Sequence, residues 1–200
     1  MLVQASLVIA DTERWALEPS QKSAPKSVAD LMEREGAYEV AVVDQFHRTA
    51  RSVFARAQQY AVWERAFKTG NAGRPEASDI AIFDNSNGGT EIRLELGEYE
   101  PKKLKAEAEK LKRLAATVVS GYPNVENYVA LWKIREARLT LDTAKQALSR
   151  YQSAAAKATK GAVNTTTPFT VTAILASAVD LFTAKDRDAS HVEVGVFEVT

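Results

Sequence analysis

Two histidines, His47 and His191, are the side chains of this sequence whose ordinary titration lies nearest neutrality. Either becomes a general base if a carboxylate orients its ring, and otherwise serves as a surface or capping residue. Asp186 and Asp188 with Ser190, and Asp84 with Asn85 and Asn87, offer oxygens to a hard cation. Neither stretch has the spacing of a calcium loop, and the turn habits of Asp, Asn and Ser account for both.

Basic side chains cluster twice. His47, Arg48, Arg51, Arg56, Arg65 and Lys68 are interrupted by a single acid, Glu64. Arg48, Arg51 and Arg56 are therefore the candidates for contact with nucleic-acid phosphates. Lysines 102, 103, 105, 110 and 112 with Arg113 form the second cluster. Glu107 and Glu109 are interleaved there, which marks a solvated, ion-paired helix face.

Several chemistries are excluded. The chain has no cysteine, which removes disulfides, thiolate nucleophiles and cysteine-held metals. It lacks a phosphate loop, a Gly-x-Gly-x-x-Gly turn, a Gly-x-Ser-x-Gly elbow and a His-Glu-x-x-His helix. No cofactor is expected. Lys and Arg number 26, as do Asp and Glu, so no global charge draws the chain to nucleic acid or an anionic membrane. No basic residue precedes the apolar run Leu2–Ala10, and Asp11 ends it, unlike a secretory signal. No stretch of about 18 uncharged apolar residues could span a bilayer. A cytoplasmic or virion location is the expectation.

The positioning elements follow from periodicity. Val3, Ala5, Leu7 and Ile9 alternate as in a strand over 2–10. Ser27 and Asp30 form a relative of the capping box, and apolar residues from Val40 to Phe67 recur at helical spacing, ending at Gly70. A β-hairpin is predicted at 79–96, its turn built from Asp84 to Gly89. Glu91, Arg93 and Glu95 alternate with Ile92, Leu94 and Leu96, so the charged face of that strand is expected to be wet.

Pro101 starts an amphipathic helix through Leu104, Ala108 and Leu111 to about 120. Ala130, Ile134, Ala137, Leu141, Ala144, Leu148, Tyr151, Ala155 and Ala158 alternate in steps of four and three. That heptad predicts a second helix over 125–158, ended by Gly161. The short connection at 121–124 makes the pair antiparallel neighbours. Residues 169–183 read either as a strand, through the β-branched Thr170, Val171 and Thr172, or as a helix, through Ile174, Ala178, Leu181 and Phe182, with helix preferred over 170–183. Val192, Val194 and Val196 alternate in a final strand, which is expected to pair with residues 2–10.

The resulting fold class is α+β and helix-rich, one domain over 1–200. A long antiparallel helical hairpin (101–158, within a subregion 101–160), the β-hairpin 79–96 and paired terminal strands make it up. Trp132 and Leu139 lie off the heptad seam. With Arg93 on the hairpin, they are the candidates for subunit contact. The functional expectation is a non-catalytic structural or assembly subunit, for example a virion or phage-particle component, partnered by other protein subunits in a homo-oligomer or multisubunit complex. Two alternatives stand beside it: a nucleic-acid-binding module using the Arg48/Arg51 helix, and an enzyme with a dispersed carboxylate site. A deep cluster of converging Asp, Glu or His side chains favours the enzyme.

Overall fold

A computed structural model describes residues 37–54, 59–67, 76–86, 88–135, 137–163, 165–180 and 191–200. The elements in chain order are α1 (Ala37–Phe54), β1 (Gln59–Ala66), β2 (Ala77–Asp84), β3 (Thr90–Glu98), α2 (Pro101–Leu114), β4 (Asn124–Arg135), α3 (Thr143–Ala162), β5 (Val171–Asp180) and β6 (His191–Val199).

The six strands form one mixed sheet in the order β1-β2-β3-β4-β6-β5. Strands β1, β2 and β3 make an antiparallel meander. Strands β3 and β4 are parallel, joined by α2 as a crossover. β6 inserts antiparallel between β4 and β5. Reciprocal backbone bonds between Thr170 and Thr200, at 2.8 and 3.0 Å, tie down the end of the chain.

The sheet is covered on both faces. On one, Val42, Val43 and Phe46 of α1 pack on Ile80, Ile82, Leu94, Leu96, Trp132, Val192 and Val194. On the other, Leu104, Ala108 and Leu111 of α2 and Ala147, Tyr151, Ala155 and Ala158 of α3 pack on Val129, Leu131, Phe197 and Val199. Alanines let α3 lie close to the strands. At one point the approach is closer still: a Cβ built on Gly195 would stand 2.6 Å from the Tyr151 ring.

This architecture corrects the helix-rich expectation and its helical hairpin. The β-hairpin 79–96, the helix beginning at Pro101 and the final strand are present. The predicted helix over 125–158 is instead β4, a connection and α3. Strand β4 is covered on both faces, so its buried residues form a continuous apolar run, Val129 to Trp132. Such a run carries no period of two, and helical spacing can be read into it. The heptad residue Leu141 lies in the connection and is fully exposed.

The predicted helix at 170–183 is likewise strand β5, as its β-branched residues Val171, Thr172, Ile174 and Val179 suit. The helix expected to run to Gly70 is α1 up to Phe54, and Tyr60, Val62 and Trp63 belong to β1. The strand at 2–10, its pairing with 191–199 and the helix start at Ser27 lie outside the described residues. The assembly and virion readings leaned on the helical hairpin and have no support once it is gone. Among the described residues no helix is long and apolar enough to cross a membrane.

Candidate active site

The face of β3 expected to be wet is buried. Glu91, Arg93 and Glu95 are 0%, 0% and 1% exposed. The reason is the crossover. A helix joining parallel neighbours must lie across the sheet, and α2 lies over this face.

Each charge meets a specific partner. Arg93 Nη1 donates to the Leu114 carbonyl at 2.6 Å, and Nη2 donates to Glu91 Oε2 at 2.9 Å and to the Thr117 carbonyl. Arg93 thus closes the C-terminal end of α2, where helix carbonyls lack intrahelical donors. Its guanidinium lies 4.6 Å from the centre of the Phe67 ring. Arg65 Nε stands 3.4 Å from Glu91 Oε1, so Glu91 is held between two guanidiniums.

Glu95 is held differently. Its Oε2 accepts from Lys110 Nζ at 2.8 Å, whereas Oε1 has no hydrogen-bond partner. Continuing the pairing of Ile80 with Leu94 brings Asp79 beside it. Asp79 Oδ2 accepts the Leu96 backbone N–H at 2.7 Å. Burial, and then the Asp79 carboxylate, push the Glu95 pKa up to about 9. Burial acts to lower the Lys110 pKa, but Glu95, Glu107 and Asp79 outweigh it and raise it. Glu107 Oε2 is 3.8 Å from the same ammonium. Glu95, Glu107 and Asp79 thus all act on the Lys110 ammonium. Asp79 and Lys110 are half-buried, so the cluster reaches solvent.

Among the described residues no three His, Cys, Asp or Glu side chains converge tightly enough to enclose a metal ion.

No family model, curated protein or solved structure matches this chain.

The residues singled out in the sequence lie elsewhere. His191 is buried at the start of β6, its Nδ1 2.6 Å from the Ala137 carbonyl and its Nε2 3.2 Å from Glu193 Oε1. Both ring nitrogens thus lie against oxygens of the protein. Glu193 also takes Arg135 Nε at 3.1 Å and an Arg150 guanidinium nitrogen, a second buried ion cluster beneath α3. His47 Nε2 is 3.3 Å from the Ala61 carbonyl.

Asp84 accepts from the Ser86 backbone N–H at 2.8 Å and from Gln59 Nε2 at 2.6 Å. Hydrogen bonds from Ser86, and then Gln59, lower its pKa, and its role is to close the turn. Asn87, Asp186, Asp188, Ser190 and Arg56 lie outside the described residues. Arg48 is exposed and paired with Asp44 at 2.8 Å, and Arg51 is exposed in the last turn of α1. Both belong to the helix on the opposite face of the sheet from Glu95. Trp132 and Arg93 are buried, and Leu139 is half-buried between β4 and α3.

The sequence reading passed over Asp79, Glu95 and Lys110. Their signal was a charged strand followed within three residues by a helix starting at Pro101, since that helix has to cover one face of the strand.

Proposed function

We propose that the chain is a hydrolase of phosphate esters that depends on a hard divalent cation, with its catalytic centre at Asp79, Glu95 and Lys110. The observation that carries this reading is the Glu95 carboxylate: buried, one oxygen without a hydrogen-bond partner, beside the Asp79 carboxylate and bonded to Lys110 through its other oxygen. Burial and a neighbouring carboxylate raise a carboxyl pKa, an arrangement common at functional sites.

A divalent cation bound there would offset the carboxylate charge and polarise a phosphoryl oxygen. Asp79 and Glu95, on adjacent strands, would be the residues to hold it. Asp79 is oriented by the Leu96 N–H. Lys110 reaches the same point from α2 and is placed to stabilise negative charge developing on a substrate oxygen.

The test is hydrolysis of bis(p-nitrophenyl) phosphate and of a DNA oligonucleotide with and without magnesium or manganese, for the parent chain and for Asp79→Asn, Glu95→Gln and Lys110→Ala. Turnover that requires the cation and falls by roughly two orders of magnitude or more in each variant supports the reading. Absence of cation binding by calorimetry in the parent chain, together with no turnover of either substrate, sinks it. The cluster is then an ion network that holds α2 to the sheet.

A further inference from the structure

A second polar site lies between the two helices of the α2/α3 layer. A half-open cavity of about 280 Å³ is lined by Tyr99, Lys105, Arg150, Ser153 and Lys157, with Pro101 and alanines of α3 as its apolar wall. No acidic side chain among the described residues lines it. Among the described residues neither Lys105 nor Lys157 has an ion-pair partner. Arg150 shares its one partner, Glu193, with Arg135 and His191. Glu193 is thus a shared partner, and Lys105, Arg150 and Lys157 all belong to the lining of one cavity.

The charge is not an accident of overall composition. Helix α3 carries Lys145, Arg150, Lys157 and Lys160 and no acid, in a chain of net charge zero. The volume is at or just below the lower end for drug-sized ligands, so it suits a small molecule. Cations at one side and an aromatic and apolar wall at the other fit an anion with a flat apolar body.

We propose that this cavity is a binding site for a small phosphate monoester, its phosphate held by Lys105, Arg150 and Lys157 and its apolar part laid against Tyr99 and the alanines of α3. The site stands apart from the Asp79–Glu95–Lys110 cluster and does not depend on its role.

The probes are phenyl phosphate and inorganic phosphate, titrated into the full chain by calorimetry and by backbone-amide NMR, with no divalent cation present. Phenyl phosphate is expected to saturate, to bind more tightly than inorganic phosphate, and to shift the amides of Tyr99, Lys105 and Ser153. Lys157→Glu, with circular dichroism unchanged, should weaken binding roughly ten-fold or more, the scale of losing one charge-assisted contact. Lys160→Glu changes the charge of the same helix outside the cavity and should leave affinity within about two-fold. The proposal is overturned if phenyl phosphate fails to saturate, or if Lys160→Glu weakens it as much as Lys157→Glu. It is also overturned if an oligonucleotide shifts these amides while phenyl phosphate does not, which makes the groove a track for a polyanion. Should Lys157→Glu fail to fold, Lys105→Gln takes its place with the same outcomes.

Discussion

Lys110 Nζ lies 2.8 Å from Glu95 Oε2, a contact that joins the middle of α2 to the interior of the sheet. It spans the crossover between the parallel strands β3 and β4, so it couples the packing of α2 to the charge state of the candidate site. Removing either partner leaves a different problem behind, and the two variants should separate.

Glu95 has a folded-state pKa of about 9, raised from the ordinary 4.5 mainly by burial. The folded chain therefore keeps a proton that the unfolded chain has released, and stability falls as pH rises between those two values. The slope approaches about 1.4 kcal/mol per pH unit in that window for one group and flattens above it. Urea titrations in metal-free buffer at pH 5, 7 and 9 measure this. In Glu95→Gln the slope should largely vanish, and the variant should exceed the parent in stability at pH 9. Stability that does not depend on pH in the parent chain rejects the assignment.

Cation binding should oppose that loss. If Asp79 and Glu95 are ligands, magnesium binding displaces the Glu95 proton, so calorimetry in buffers of different ionisation enthalpy should register proton release at pH 7. Asp79→Asn should abolish both binding and release. Heat that does not vary with buffer argues against Glu95 as a ligand.

Arg93 is fully buried and donates to Glu91 and to the carbonyls of Leu114 and Thr117. Arg93→Met preserves much of the volume but leaves the buried Glu91 carboxylate to Arg65 alone and removes the guanidinium from the Leu114 and Thr117 carbonyls. A loss of about 3–5 kcal/mol is expected, the scale of breaking a buried ion pair. Chemical denaturation measures it, and a loss under about 1 kcal/mol would show that water satisfies these groups.

Gly195 and Tyr151 make a steric prediction. The Tyr151 ring is boxed in by Tyr99 and Phe197, with centroids at 5.3 and 5.5 Å, so it has little room to yield to a new methyl group. Gly195→Ala should lower stability by about 1–3 kcal/mol through overpacking. The Tyr151 hydroxyl is buried without a partner, and Tyr151→Phe should be neutral or stabilising by up to about 1 kcal/mol. Thermal unfolding of the two variants checks both signs.

The sequence by itself determined the local elements whose signals are short-ranged: the Asp84–Gly89 turn and its flanking strands, the helix that Pro101 opens, and the valine alternation of the last strand. It also determined that no cysteine chemistry and no common phosphate-loop or zinc motif operates here. What it left open is whatever depends on which surface covers which. Strand β4 is enclosed on both faces, which erased the alternation that marks a strand and let a heptad be read through Leu141, a residue in open solvent. The charges of β3 look like a wet face until the parallel pairing with β4 places α2 over them. Only the tertiary structure brings Asp79, Glu95 and Lys110 together, because their meeting rests on strand register and a crossover helix, neither of which is encoded within any one segment.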